Sequence, residues 1–152
     1  MTKSIATLSA LILVGLAVEA WAGPVEEVAQ IAGPRNQIFE EGNTEALVAA
    51  FADNAVLTSS LTGFRIEGKE AIRAYFAALF QAYPGRRLFT RQPVARAYND
   101  DLVINNSYNA LYLTDPKGQV TQLTLRGSVV WAKIGGRWQI VDQHVSRIPV
   151  MH

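Results

Sequence analysis

Two alternating stretches near the C-terminus hold the side chains best suited to chemistry. In Val120–Lys133 one set of alternate positions carries Leu123, Leu125, Val129 and Trp131, and the other carries Gln122, Thr124, Arg126, Ser128 and Val130. In the last stretch one alternation runs Trp138, Ile140, Asp142, His144, Ser146. Residues two apart on a strand point the same way, so Asp142 and His144 are expected side by side. A neighbouring carboxylate favours the imidazolium while burial opposes it. Such a pair near neutral pH can move a proton beside a carbonyl. Arg126 offers a planar donor for a carboxylate or enolate. The expectation is one site, with Asp142 and His144 as acid and base and with Arg126, Tyr108, Ser128 and Ser146 holding a ligand. A plainer reading stands beside it: an Arg126–Asp142 ion pair between neighbouring strands, an interior His144 with its bonds satisfied, and a Ser146 bonded to backbone.

Composition narrows the alternatives. The chain has 152 residues, no cysteine, two histidines and a formal charge of +1. Disulfides, thiolate metal sites and a cysteine nucleophile are excluded, and a transition-metal site is not expected. No glycine-rich phosphate loop or Gly-x-Ser-x-Gly elbow occurs, so no cofactor is expected. A nucleic-acid protein needs a clustered basic face. The arginines at 86, 87, 91 and 96 read instead as the solvated side of a strand.

The elements that must position the site read as helices first and strands after. Val25, Val28, Ala29 and Ala32 form one stripe, which Ile38 and Phe39 continue beyond Gly33-Pro34, where a kink or break is expected. Gly42 should end this stretch, and Asn43 should cap a short helix running through Ala52. Asp53-Asn54 reads as a turn before a short strand, Ala55–Thr58, and Phe64–Glu67 returns the chain. After Gly68 the residues Ile72, Tyr75, Phe76, Leu79, Phe80 and Tyr83 line one face of a helix, which Pro84-Gly85 stops. This stripe reads as core, with Tyr75 at the edge of a cavity as a further ligand contact. Four long strands follow at about Arg86–Tyr98, Leu102–Leu113, Val120–Lys133 and Trp138–Arg147, with Pro93 marking a bulge or an edge. The fold class is α+β, a curved antiparallel sheet packed on about three N-terminal helices.

The N-terminus carries a different message. Lys3 precedes a mostly apolar run, Ile5–Val18, and Ala20-Trp21-Ala22 supplies small residues for cleavage. As a helix that run reaches only about 21 Å, short of the roughly 30 Å hydrocarbon core. Residues 1–22 are expected to be a signal peptide cleaved after Ala22, leaving 23–152 as a periplasmic or secreted domain with no membrane segment. Retention as an anchor is the alternative.

In order and spacing, four segments resemble the nuclear transport factor 2-like superfamily. They are Gly42–Leu47, Phe51–Leu57, Ile66–Ile72 and Gly136–Ser146, the last followed by Pro149. Within it the chain is most similar to SnoaL-like domains and to bacterial relatives of the calcium/calmodulin-dependent kinase II association domain. The resemblance implies a cone-shaped fold whose sheet and helices enclose a pocket, and a homodimer packed through the sheet face. It also implies that Arg126, His144 and Ser146 line that pocket, although Asp142 stands where the subgroup often has a histidine. Relatives include isomerases, cyclases, dehydratases and proteins that only bind or assemble, so the fold leaves function open. The reading preferred is an exported protein that binds a small organic ligand, apolar with a carboxylate or carbonyl. The alternatives are a cofactor-independent isomerase, cyclase or hydratase, and an oligomeric assembly domain.

Overall fold

A computed structural model describes residues 22–149. Residues 1–21, which hold nearly all of the expected export segment, lie outside the described residues, as do 150–152. No helix among the described residues is long and apolar enough to cross a membrane.

The chain begins with three short helices. Helix α1 (Pro24–Ala32) starts on a proline, whose missing N–H costs nothing in a first turn. Gly33-Pro34 breaks the stripe, so Ile38 and Phe39 belong to a separate α2 (Arg35–Glu41), which ends on Gly42 at φ 73°. Asn43 caps α3 (Thr44–Val48) by accepting from the Ala46 amide at 3.0 Å.

Helix α3 stops short of Ala52, where the sequence pattern had placed its end. Phe51 and Ala52 already belong to strand β1 (Phe51–Thr58). The Ile140 amide donates to the Ala50 carbonyl at 2.7 Å, and Phe51 takes a ladder position opposite Ile140. Pairing of these buried residues outweighs one more helical turn. Asp53-Asn54 is not a turn either; it lies where the β1 register slips between Phe51 and Val56.

A short β2 (Ile66–Glu67) pairs back on β1, and α4 (Lys69–Ala82) follows with Ile72, Phe76 and Leu79 buried. The long strands are β3 (Gly85–Asn99), β4 (Leu102–Thr114), β5 (Val120–Ile134) and β6 (Arg137–Arg147). They complete one six-stranded sheet in the order β2-β1-β6-β5-β4-β3. The sheet is mixed, because β1 runs parallel to β6 while every other pair is antiparallel. The architecture is the expected α+β one. Its core lies between the inner face of the sheet and the helices, built around Trp131, Phe51, Ile72, Leu113 and Ile140.

Two bulges set which side chains face that core. In β3 the register slips between Arg91 and Val94, around Pro93 as expected, and Gln92 adopts φ 47°. In β6 Val130 faces Asp142 while Trp131 faces Ile140, so Val141 is an extra residue. An extra residue on one strand reverses its alternation. Trp138 and Ile140 therefore point inward before the bulge, and Gln143 and Val145 point inward after it.

Candidate functional site

A partly open cavity of about 600 Å³ lies between the inner sheet face and the helices. Its walls are mostly apolar: Phe39 from α2, Leu57 from β1, Phe76 and Leu79 from α4, Leu125 and Val129 from β5. Three buried polar atoms of residues on this wall have no hydrogen-bond partner among the described residues. They are the Asn105 Oδ1, the Trp131 Nε1 and the Gln143 Oε1. Leaving such a group unpaired costs about 1–3 kcal/mol, and each of the three is closed off from the open space by its own surroundings.

Tyr75 lies where the helical stripe put it, on the cavity wall. Its hydroxyl shares a 2.6 Å hydrogen bond with the Ser59 Oγ. Burial pushes the phenol above its ordinary pKa, partly offset by that bond, so Tyr75 stays protonated at neutral pH. The one charged side chain on the wall is Arg35, the first residue of α2. Burial lowers its pKa to about 10, which leaves it a cation at neutral pH. Among the described residues the wall includes no aspartate, glutamate or histidine.

The remaining expected site residues are placed elsewhere. Arg126, Ser128, His144, Ser146 and Tyr108 share a shallower groove of about 470 Å³ on the opposite, outer face of the sheet. There the Arg126 Nε donates to the Ser146 Oγ at 3.1 Å, and the Asn106 amide donates to the Ser128 Oγ at 2.8 Å. Asp142 is on the same face but opposite Val130, four ladder pairs beyond the one joining Arg126 to Ser146. Arg126 and Asp142 form no ion pair. This corrects the expectation of an enclosed acid/base site: Arg126, Asp142 and His144 are exposed to solvent. The cause is Val141. Unbroken alternation would have carried Asp142, His144 and Ser146 inward with Trp138 and Ile140.

Sequence reasoning missed Asn105, Gln143 and Trp131 as a set, and Arg35 altogether. Of these only Trp131 stood out, as a member of an apolar alternation. A bulge in β6 would have brought in Gln143, but no glycine or proline marks one there. Arg35 follows a helix-breaking Gly-Pro, a position that reads as a cap or turn.

Residues 28–151 match the family model of the SnoaL-like domain. No curated protein matches the sequence. Several solved structures share the fold. A candidate calcium/calmodulin dependent protein kinase II association domain from Xanthomonas campestris is 23% identical, with 83% of this chain and 89% of that one covered at a TM-score of 0.73. A nuclear transport factor 2-like protein of unknown function from Pseudomonas putida is 21% identical, with 80% and 84% covered at 0.71. A candidate dehydratase of the same family from Streptomyces avermitilis is 12% identical, with 82% and 96% covered at 0.73. At such identities the likeness speaks for the fold alone. The family match spans most of the sequence and agrees with the order of helices and strands, so the chain belongs to the SnoaL-like domain family.

Proposed function

We propose that this domain binds a small organic ligand in its inner cavity, an apolar body bearing a carbonyl or carboxylate. The observation that carries the reading is a largely apolar cavity whose described wall holds a few groups able to donate to such an oxygen, the Tyr75 hydroxyl, the side-chain amides of Asn105 and Gln143, and Arg35. The volume of about 600 Å³ lies within the 300–1,000 Å³ range of small-molecule sites. Because the described wall offers no carboxylate or imidazole, binding is favoured over proton transfer. Asp142 and His144 as an acid/base pair would have to work from the exposed groove.

Two further parts of the reading concern context. The apolar run Ile5–Val18 and the Ala20-Trp21-Ala22 triplet support export with cleavage after Ala22. The outer sheet face supports a homodimer. Phe89, Val94 and Tyr108 stand half exposed there on adjacent strands, a patch that pairing with a second copy would cover.

Native mass spectrometry of the protein from its own compartment tests all three parts. The expected result is a chain starting at Gly23, paired, with a small molecule retained or with the neutral dye N-phenyl-1-naphthylamine taken up at one per chain. A chain that takes up neither a cellular molecule nor the dye would overturn the binding reading.

A further inference from the structure

Two arginines of this domain are held against its helices, and they use their donors differently. Arg86 spends its guanidinium on backbone carbonyls. Its Nε donates to Phe39 at 3.1 Å, one terminal nitrogen donates to Phe80 at 3.2 Å and to Tyr83, and the other donates to Glu40 at 3.1 Å. The plane also lies 4.6 Å from the centre of the Phe80 ring. Four of the five N–H donors an arginine carries are thus occupied, tying the ends of α2 and α4 to the start of β3. Arg86 is structural.

Arg35 differs. Among the described residues its side chain makes one hydrogen bond, to the Leu47 carbonyl at 2.9 Å, and its guanidinium carbon lies 5.2 Å from the centre of the Phe51 ring. It pairs with no carboxylate among the described residues. Arg35 is a half-buried cation with most of its donors uncommitted, so an anion entering the cavity would meet free donors. It is also the one charge on the cavity wall among the described residues.

We infer that Arg35 anchors the anionic group of the ligand, so that the cavity selects an apolar monoanion of the carboxylate class over its neutral counterpart. This rests on the cavity being a ligand site. The flat guanidinium can present two parallel N–H donors to a carboxylate, and the bond to Leu47 with the Phe51 ring beneath holds it in place. The apolar body then fills the space toward β5. Tyr75 and the side-chain amides of Asn105 and Gln143, on the same wall, take up the ligand's neutral polar atoms. Arg126, which the sequence pattern suggested for this role, lies on the other side of the sheet.

A matched pair of dyes tests the inference. N-phenyl-1-naphthylamine is neutral, and 8-anilino-1-naphthalenesulfonate is the same skeleton with one sulfonate standing in for the carboxylate. Calorimetric titration of residues 23–152 should show the anion binding at least ~10-fold more tightly than the neutral dye, as a charge-assisted hydrogen bond provides. Arg35→Met, which keeps the apolar stem over Phe51, should erase that preference while leaving the neutral dye within about threefold. Arg35→Lys should keep part of it. The double variant Arg96→Gln/Arg126→Gln should keep all of it. Should the Arg35 variants fail to fold, the wild-type protein still decides, because the anion should raise its thermal midpoint more than the neutral dye does. Equal affinities in the wild type would overturn the anchor and leave the cavity reading intact. So would a preference that survives Arg35→Met or vanishes in the outer-face variant. Binding of neither dye would overturn both.

Discussion

The inner and outer faces of β5 and β6 are made from alternating residues of the same two strands, yet they have opposite chemistry. Inward go Leu123, Leu125, Val129 and Trp131 of β5, with Gln143 and Val145 of β6. Outward go Arg126, Ser128, His144 and Ser146. The inner face is apolar with a few unpaired neutral polar atoms, whereas the outer face is charged, hydroxylated and wet. The inner face gains energy by excluding water, so any polar atom left on it is either costly or used. Outer-face polar atoms carry no such penalty, and their clustering says little about function. The richer set of reactive side chains is therefore the weaker candidate site. The sparse one, with Arg35 on the same wall as a few neutral polar groups, is the stronger.

Stability should separate the faces most sharply. Trp131 is fully buried, and its β5 neighbour Val130 points the other way. Trp131→Ala should cost about 3–5 kcal/mol in urea unfolding, whereas Val130→Ala should cost about 1 kcal/mol or less. Similar losses for both would mean that the outer face is as well covered as the inner.

That outcome bears on the second test, which concerns what covers the outer face. Phe89→Glu with Tyr108→Glu places charge in the apolar patch on β3 and β4. Sedimentation should show self-association weakened roughly 100-fold, as loss of about 2.7 kcal/mol implies, with unfolding of the monomer little changed. A dimer that survives both changes would move the interface elsewhere.

A third experiment fills the cavity from the inner face. Gly127 lies on its wall, and a Cβ there would meet the His144 carbonyl oxygen at 3.5 Å and the Asn109 amide nitrogen at 3.6 Å, ordinary contacts. Gly127→Leu should therefore fold and project its larger side chain into the cavity. Affinity for the neutral dye should fall at least ~10-fold, or about 1.4 kcal/mol. Undiminished affinity in the folded variant would place the dye outside.

Much of this arrangement could be read from the sequence, and where it could not, the reasons are local. The α4 stripe from Ile72 to Tyr83 was legible because six residues repeat one spacing, and Tyr75 came with it. The break at Gly33-Pro34, the Asn43 cap and the Pro93 bulge were legible because those residues carry their own backbone constraints. The end of α3 was not, since Phe51 and Ala52 fit a helix face as well as a strand, and only pairing with β6 decides. Val141 carries no bulge signal of its own. One unmarked residue was enough to turn Asp142, His144 and Ser146 outward and Gln143 inward. Arg35 gave no signal by type or spacing, because its place depends on how α2 meets β1.

A fourth test uses a carboxylate on the helix side of the inner face. The Glu27 Oε2 accepts from the Lys133 Nζ at 2.7 Å and from the Trp138 Nε1 at 2.6 Å, fastening α1 to the β5–β6 hairpin. The Lys133 bond first and the Trp138 bond second hold its carboxyl below the ordinary value of 4.5. A depressed carboxylate pKa contributes stability that is complete above the unfolded value and is lost as pH falls through the folded one. Glu27→Gln should therefore be less stable than the wild type at pH 7, with the gap closing as the solution is acidified below 4.5. A gap that stays constant down the acid limb would mean the fastening does not depend on charge.

The smallest effect is expected where the sequence placed the chemistry. Asp142 and His144 are exposed on the outer face, away from the cavity, and make no side-chain hydrogen bond among the described residues. Asp142→Asn combined with His144→Ala should change unfolding by no more than about 0.5 kcal/mol, the usual range for surface positions. It should leave the affinity for N-phenyl-1-naphthylamine unchanged. If Val141 were not an extra residue, both side chains would stand beside Ile140 on the inner face, and removing them would alter dye binding and stability together. Gln143→Leu is the reciprocal variant, because it removes one of the three unpaired polar atoms from the cavity wall. It should leave the fold intact and raise affinity for the neutral dye while lowering it for a ligand that needs the amide. Dye binding that responds to the outer pair and ignores Gln143 would reverse the two faces, and with them the placement of the site.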